Sequence, residues 1–426
     1  MQIVDNYRLK IGGRDYVPIM IGGMGVNIST SELALEACRL GGIGHISDAM
    51  VLVVTDRKFG TTFTRAKYEK HRRYQESIDK SAVKFDLEDL KQAQIMHVQR
   101  TMEKKRGSGA VFVNIMEKLT MSDPLPTLKT RLCAALDAGA DGITLSAGLH
   151  THSLGLMEGH PRFRDAMIGI IVSSLRALKV FLRGAQRLNR LPDYVVVEGP
   201  LAGGHLGFGL EWAEYDLGAI VKEVVSFLEA EDLKIPVIAA GGIFTGGDAV
   251  ELLEYGAGGV QVATRFTVTR ECGLPNEVKQ QYFKALPEDV IVSSCSPTGY
   301  LIRLLGTSPC LGSNVKPNCE AFGYALSREG KCQYLDAYQQ GLSDKVGAKL
   351  PIQEKICLCY HFSQYHCYTC GHNVYRLKDT SIVNEDGTYQ LLSAEHVFKD
   401  YQFSVGDELC LPQRASKTGL GAVVGI

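Results

Sequence analysis

The stretch "IPVIAAGGIFTGGDAVELLEYGAGGVQVATRF" (Ile235–Phe266) decides the fold class of this chain. Residues 235–242 form an apolar, β-branched run that ends in two glycines, as expected for a buried strand. Residues 247–257 have helical periodicity and end near a glycine, and 258–266 form a second apolar run. Strand, helix and strand in this order predict a parallel βαβ unit.

The same alternation extends from residue 15 to residue 270. Six further strands are predicted at 17–25, 42–47, 110–116, 141–148, 168–174 and 193–199. Helical patterns are predicted at 31–41, 127–140, 175–189 and 216–231. Because the strands are continuous apolar runs, they are expected to be buried on both faces, as in a parallel sheet. The eight units predict an α/β fold, a (β/α)8 TIM barrel.

An open Rossmann-like sheet is the alternative fold. It is disfavoured because no G-x-G-x-x-G follows the first strand and no G-x-x-x-x-G-K-[ST] occurs in the chain. The expected organisation is a barrel at 1–300, with an insertion at about 48–108, and a cysteine-rich C-terminal extension at 301–426 that packs on the barrel. The end of that extension, 373–426, is expected to be rich in β-structure.

Composition excludes several classes of protein. Apolar residues make up 45% of the 426 residues and charged residues 22%, which is typical of a globular enzyme. A formal net charge of −1 gives no overall field to attract nucleic acid or an anionic membrane. The N-terminal sequence resembles neither a signal peptide nor a transit peptide, and no run is long and apolar enough to span a membrane. A cytoplasmic location is therefore expected.

Glycine clusters follow three predicted strands at the end where TIM-barrel active sites lie. Gly203 and Gly204 precede His205, and they allow a flat ligand to approach the backbone closely. Gly241 and Gly242 are expected to offer free backbone N–H groups at a helix start, which attracts a phosphate. Ala263 and Thr264 add N–H groups one strand later, and the Arg265 guanidinium is expected to join them. These positions predict a site for a phosphate-bearing planar ligand.

Two further strand ends complete the predicted rim. The first strand supplies Gly22, Gly23 and Met24. The third supplies Asn114, whose amide can both donate and accept a hydrogen bond. Both positions are expected to contact the same ligand.

These motifs together resemble the nitronate monooxygenase family, formerly called 2-nitropropane dioxygenases. The resemblance depends on "PIMIGGMG", "VFVNIM", "VVVEGPLAGGHLG", the stretch 235–266, "TREC" and "SCSPTG". It implies a TIM barrel that binds flavin mononucleotide (FMN), with Met24 and Asn114 touching the flavin and Gly203 and Gly204 lining its ring. It also implies that Gly241, Gly242, Ala263 and Thr264 hold the phosphate and that His205 is catalytic.

Two positions depart from the family pattern. Leu201 stands where the family often has Glu, and Glu198 stands where it often has Gln, so Glu198 is expected to lie near the flavin and to alter its potential. The activity implied is oxidation of alkyl nitronates with O2 by flavin and His205. The alternatives are an NAD(P)H-dependent enoyl-acyl-carrier-protein or quinone reductase on the same scaffold, and a non-catalytic flavin- or metal-binding regulatory protein. A small-molecule substrate is expected, with O2 or NAD(P)H, and a homodimer is left open.

The cysteines are concentrated at the C-terminal end, since nine of the twelve follow residue 290. Four of them, Cys357, Cys359, Cys367 and Cys370, form C-x-C and C-x-x-C pairs that could share a zinc ion or an iron–sulfur cluster. Their spacing does not match a standard zinc ribbon, and buried structural thiols are the favoured alternative. The element "CGHNVYR" resembles the CG-x-N-x-x-R of some relatives, which implies that the tail packs on the barrel.

Overall fold

The computed structural model describes residues 2–75, 77, 79–117, 123–317, 319, 331–343, 352 and 354–412. A hairpin of β1 (Leu9–Ile11) and β2 (Arg14–Tyr16) precedes the barrel. The barrel strands are β3 (Ile19–Ile21), β4 (Ile43–Ser47), β5 (Ala110–Met116), β6 (Gly142–Ser146), β7 (Met167–Val172), β8 (Tyr194–Glu198), β10 (Val237–Ala240) and β11 (Gly259–Val262). All eight are parallel and close on themselves, with β11 beside β3. The predicted TIM barrel and all eight predicted strands are confirmed.

Helices alternate with these strands and continue after the barrel. They are α1 (Ser31–Arg39), α2 (Val51–Phe59), α3 (Phe63–His71), α4 (Leu87–Met102), α5 (Pro124–Asp137), α6 (Ser153–Met157), α7 (Leu175–Arg187), α8 (Leu217–Ala230), α9 (Gly246–Glu254), α10 (Asn276–Lys284), α11 (Gln333–Ser343), α12 (Leu358–Ser363) and α13 (Ala394–Phe403). Within the described ranges, no helix is long and apolar enough to cross a membrane.

The barrel interior is closed at the end opposite the carboxyl ends of the strands. Leu9, Ile11 and Tyr16 of the hairpin join an apolar cluster with inward residues of the strands, among them Phe112 and Tyr194. A second, larger cluster lies between the strands and the surrounding helices. Six of the eight strands contribute apolar side chains to both clusters, and β6 and β11 contribute to the outer cluster only.

Three polar side chains deep inside the barrel form a hydrogen-bonded group. The two ring nitrogens of His45 contact the Ile21 carbonyl oxygen at 2.7 Å and the Thr144 hydroxyl at 2.6 Å. Thr144 also contacts the Tyr194 hydroxyl, at 2.5 Å. These bonds offset the cost of burying polar groups, so the three residues are part of the core.

The insertion at 48–108 folds as α2, α3 and α4 beside the barrel mouth. Its first residue, Asp48, is fully buried and forms an ion pair with Arg131 of α5. Arg131 also donates to the Met116 carbonyl oxygen, and the Met116 N–H donates to Asp48. The insertion is thereby joined to the end of β5.

A small antiparallel sheet lies above the mouth and was not predicted. It consists of β9 (Gly204–His205), β12 (Val290–Ser293) and β13 (Ile302–Leu305). In its register, Ile302 is opposite His205 and Arg303 is opposite Gly204. His205 is therefore placed by a strand that follows the barrel, not by the barrel alone.

The expected β-rich end of the chain is wrong for the residues that can be described. A 3-10 helix covers His372–Thr380 and α13 covers Ala394–Phe403, while β-structure is limited to isolated bridges such as that between Val383 and Tyr389. The segment instead packs through helices, since Val397, Phe398 and Tyr401 of α13 join the main core cluster. Residues 413–426 of the predicted segment lie outside the described residues.

Candidate functional site

The predicted site residues lie at the carboxyl ends of five barrel strands and in the small sheet above them. Gly22, Gly23 and Met24 follow β3, Asn114 is in β5, Glu198 ends β8, Gly241 and Gly242 follow β10, and Ala263 and Thr264 follow β11. Because the strands are parallel, all these ends open on the same side, the barrel mouth. Gly203, Gly204 and His205 belong to the loop after β8 and to β9.

The loop after β3 is fixed by close packing. A Cβ atom on Gly23 would lie 2.3 Å from the Asn114 Cβ atom, so only glycine fits against that side chain. The Asn114 amide also donates to the Gly23 carbonyl oxygen, at 3.4 Å. Ser29, which the sequence analysis missed, accepts from the Met24 N–H and donates to the Gly22 carbonyl, both at 2.8 Å. These contacts hold the backbone of the loop after β3 in one position, with Met24 beside it.

His205 is held from one side. Its Nε2 atom lies 2.6 Å from the Ser296 hydroxyl, which lies 2.7 Å from the Thr298 hydroxyl. The Phe362 ring packs at its edge, with centroids 6.3 Å apart. Burial lowers the pKa of the imidazole to about 4, so the ring is neutral near pH 7. Ser296 and Thr298 come from the "SCSPTG" motif, which gave no sign of this contact.

Glu198 and Gln261 form a polar row at the top of the barrel interior. Both are in register with Ala240, from the strands on either side of it. Burial raises the pKa of the Glu198 carboxyl to about 7, with no nearby cation to oppose the shift. The Gln261 Oε1 atom is buried and has no partner in the part of the chain that is described. Gln261 was missed, although a polar residue within the apolar strand Gly259–Val262 was a signal.

A set of unused N–H groups lies between the ends of β10 and β11. Gly241 and Gly242 have positive φ angles of 97° and 89°, which favour glycine. The backbone N–H groups of Gly242, Ile243, Ala263 and Thr264 donate to no acceptor among the described residues. We call these four groups the N–H cradle, and its donors suit an anionic oxygen group.

The start of α9 does not provide these donors, contrary to expectation. The helix begins at Gly246, and Asp248 accepts from the N–H groups of Phe244 and Thr245 in a capping box. The Gly247 N–H donates to the Gly406 carbonyl oxygen. The N–H groups of Gly247 and Asp248 in the first turn of α9 are thus already bound by protein acceptors.

The expectation for the Arg265 side chain is also wrong. It is 1% exposed, forms an ion pair with Asp400 of α13 and lies 4.9 Å from the centroid of the Tyr401 ring. The guanidinium is therefore engaged by Asp400, in the contact between α13 and the barrel, and is not free to bind a phosphate.

The C-terminal segment contacts the mouth directly. A Cβ atom on Gly203 would lie 2.6 Å from the Cys370 carbonyl carbon and 2.7 Å from the Gly371 nitrogen. Glycine at 203 thus accommodates tail backbone. At Gly204, by contrast, no atom of the described residues lies within 4 Å of the position that a Cβ would take.

The candidate metal ligands are not grouped. Cys359 and Cys367 belong to one apolar cluster, Cys357 to a second and Cys370 to a third. Cys367 instead lies close to Cys310, with the two sulfur atoms 3.6 Å apart. Over the described ranges, no group of three or more His, Cys, Asp or Glu side chains is arranged to hold a metal ion.

The mouth fits a flavin mononucleotide on three observations. The N–H cradle can hold a phosphate, the buried Gln261 oxygen lacks a donor, and the loop after β3 presents backbone at close range. The donors and acceptors of a flat heterocycle with a phosphate arm would satisfy these groups.

Several known proteins are similar to this chain in sequence or in fold. A 5-hydroxy-7a-methyl-1-oxo-octahydro-1H-indene-4-carboxyl-CoA dehydrogenase of Rhodococcus jostii is 39% identical over 24% of this chain and 26% of its own. A probable nitronate monooxygenase of Staphylococcus saprophyticus is 32% identical over 24% of this chain and 29% of its own. The chain thus spans under a third of either relative's length.

Among solved structures, the enoyl reductase domain of MlnA from Bacillus amyloliquefaciens has a TM-score of 0.55. It is 13% identical and covers 90% of this chain and 93% of that domain, a likeness of fold. The family model described as nitronate monooxygenase matches residues 13–344, which include the barrel, the N–H cradle and His205. The chain belongs to the nitronate monooxygenase family of flavin-dependent oxidoreductases.

Proposed function

We propose that the protein is an FMN-dependent oxidoreductase that oxidises alkyl nitronates with O2 and uses His205 on the substrate. The observation that supports this most directly is the environment of His205. Its Nε2 atom is engaged by Ser296, and its Nδ1 atom has no partner among the described residues. The neighbouring Gly204 borders open space, so a small substrate can approach the ring from that side.

The barrel residues are proposed to hold the cofactor. The phosphate would be held by Gly241, Gly242, Ala263 and Thr264. The last three donate N–H groups of the N–H cradle, and Gly241 forms the backbone turn that precedes it. The flavin ring would be surrounded by Gly22, Gly23, Met24, Asn114, Glu198 and the open side of Gly204. Gln261 would lie below the ring. When bound, the flavin supplies the electron transfer, and the protein supplies position and electrostatics.

His205 would handle the proton. If Nε2 carries the hydrogen and donates to Ser296, the Nδ1 lone pair can accept the α-proton of a neutral nitroalkane, which converts it to the nitronate that is then oxidised. In the other tautomer Ser296 donates to Nε2, and Nδ1–H can donate to a nitro oxygen. Ser296 and Thr298 therefore determine which task the ring performs.

A reductase of enoyl thioesters or quinones is the second candidate function, because the His205 imidazole is neutral. A neutral imidazole offers no positive charge to an anionic nitronate, whereas its N–H suits an uncharged carbonyl oxygen. The Rhodococcus relative is named for a CoA ester, and the Bacillus structure for an enoyl reductase. In this role NAD(P)H would be the electron donor.

Anaerobic mixing separates the two functions. The purified protein, loaded with FMN, is mixed with an alkyl nitronate, NADH or NADPH while the visible absorbance of the oxidised flavin is followed. Loss of absorbance with nitronate alone is the expected result. Loss only with a nicotinamide, followed by recovery on adding an enoyl thioester or a quinone, would assign the reductase. A protein that binds no flavin would overturn both candidates.

A further inference from the structure

The N–H cradle has a deficit of positive charge. A flavin phosphate is expected to carry close to two negative charges, and hydrogen bonds from neutral N–H groups compensate only part of them. The loops 241–248 and 263–264 contain no lysine or arginine. Arg265, the next residue, is already neutralised by Asp400. These two loops therefore supply the geometry of a phosphate site without a free cation of their own.

The tail touches all three loops that surround the N–H cradle. The Asn373 amide donates to the Gly242 carbonyl oxygen at 2.6 Å, and the His372 N–H donates to the Leu201 carbonyl at 3.1 Å. Gly371 lies so close to Thr264 that a Cβ atom would be 2.4 Å from its hydroxyl oxygen. Three consecutive tail residues thus contact the loops after β8, β10 and β11.

Arg376 follows one turn later in the 3-10 helix 372–380. Its guanidinium carbon lies 4.5 Å from the centroid of the Phe244 ring, two residues after Gly242. It is half-buried and forms no ion pair with a carboxylate in the described part of the chain. Arg265 contacts the same ring, at 5.7 Å. Phe244 therefore contacts one arginine that is neutralised by Asp400 and one that is not.

We propose that Arg376 supplies the missing cation, so that the phosphate of the cofactor is bound jointly by the barrel and the tail. A guanidinium presents several donors in a fixed plane and binds phosphate in two-point contacts. The 371–373 segment positions it, because that segment is fastened to the loops that form the N–H cradle. The proposal rests on the proposed FMN site and adds a residue from outside the barrel to it.

The test compares two ligands that differ only in the phosphate. FMN and riboflavin are titrated into the full-length apoprotein, and binding is followed by the change in flavin fluorescence. Arg376→Ala is expected to weaken FMN binding about 10- to 100-fold, as for loss of a charge-assisted contact. Riboflavin binding should change less than about twofold. Lys378→Ala, which removes one positive charge from the same helix, is the matched control and should leave both affinities unchanged.

A conservative variant guards against misfolding. Arg376→Lys keeps the charge and should recover part of the FMN affinity, while thermal unfolding reports whether each variant remains folded. Equal loss of FMN and riboflavin affinity, or tighter FMN binding by Arg376→Ala, would overturn the proposal, the second because the tail would then obstruct the site. Failure of the unaltered protein to bind FMN would instead overturn the proposed function.

Discussion

The deep barrel interior and the cap, which consists of the small sheet β9, β12 and β13 together with α12, bury polar groups in different ways. Inside the barrel, His45, Thr144 and Tyr194 are hydrogen-bonded to each other or to backbone. In the cap, Arg303 is fully buried, and its Nε and Nη2 atoms have no partner among the described residues. Both ring nitrogens of His361 are likewise buried and unpaired in that part of the chain.

This difference separates groups that stabilise the fold from groups that cost stability. An unpaired buried donor costs about 1–3 kcal/mol, whereas a paired one is neutral or favourable. Burial lowers the pKa of the Arg303 guanidinium to about 10, the direction expected for a charge with incomplete compensation. It still donates to the Pro200 and Ala202 carbonyl oxygens, which lead to Gly203. The cap thus gives up stability while it holds the loop that contains His205.

The largest expected effect is on turnover, from His205→Ala. Loss of a positioned proton-transfer group typically lowers the rate about 10²- to 10⁴-fold. The flavin absorbance per mole of protein should be unchanged, because the N–H cradle is intact. The measurement is steady-state turnover with a neutral nitroalkane, or with NAD(P)H and an acceptor, beside the flavin content.

His45→Leu is the matched change inside the barrel. It removes an imidazole whose two nitrogens are satisfied by core neighbours, so it should lower the melting temperature. If it abolished turnover without changing stability, while His205→Ala remained active, the division between interior and cap would be wrong.

The second effect is on stability, from Asp48→Asn. This change leaves the buried Arg131 guanidinium without its counter-charge, and breaking a buried pair costs about 3–5 kcal/mol. Urea unfolding of the variant measures the loss. Glu36→Gln, which breaks the exposed pair with Arg39, should cost under about 1 kcal/mol. Similar losses in the two variants would contradict this account of Asp48.

The third effect is a pH dependence from Glu198. Its folded pKa of about 7 lies above its ordinary value of 4.5, so the native state binds the proton more tightly than the unfolded state. Stability from this group is therefore present below pH 4.5 and is lost as the pH rises to about 7, by at most about 3 kcal/mol.

Glu198→Gln removes this titration and keeps a similar shape. The free energy of unfolding of the variant, relative to the unaltered protein, should rise between pH 4.5 and pH 7. His205 gives a control of opposite sign, since its lowered pKa causes a loss of stability as the pH falls from 6.5 to 4. A constant difference between Glu198→Gln and the unaltered protein would show that Glu198 is ionised throughout.

The smallest effect is expected from Thr245→Ala. Thr245 caps α9 by accepting from the Asp248 N–H, and it donates to Asp407 of the tail at 3.0 Å. Loss of the cap should cost about 1 kcal/mol. Thermal unfolding checks this, and Thr245→Ser, which keeps the hydroxyl, should restore most of the stability. No recovery in the serine variant would show that the methyl group matters instead.

The barrel could be predicted because its signals are local. Each strand is an apolar run followed by a helical pattern, and the order of parallel strands follows the chain around the barrel. The same reasoning located the strand ends, and thus most of the residues proposed at the mouth. Gln261 was within reach, as a polar residue in an apolar strand.

The cap could not be predicted because its contacts join distant parts of the chain. Strand β9 has only two residues and exists through its pairing with Ile302 and Arg303. Arg265 was wrongly directed to the phosphate because its partner, Asp400, lies 135 positions away. A guanidinium at a strand end can turn toward the barrel mouth or toward the surrounding helices. The position of the Asp400 carboxylate determines which of the two directions Arg265 takes.

The contact between Asn373 and Gly242 has a consequence for synthesis on the ribosome. The last barrel strand ends at Val262, and the chain must grow to Asn373 before the tail can contact the loop after β10. At about 5–20 residues per second, this takes on the order of ten seconds. During that interval the N–H cradle of a nascent barrel lacks its contacts with the tail, so free flavin can reach it before the tail arrives.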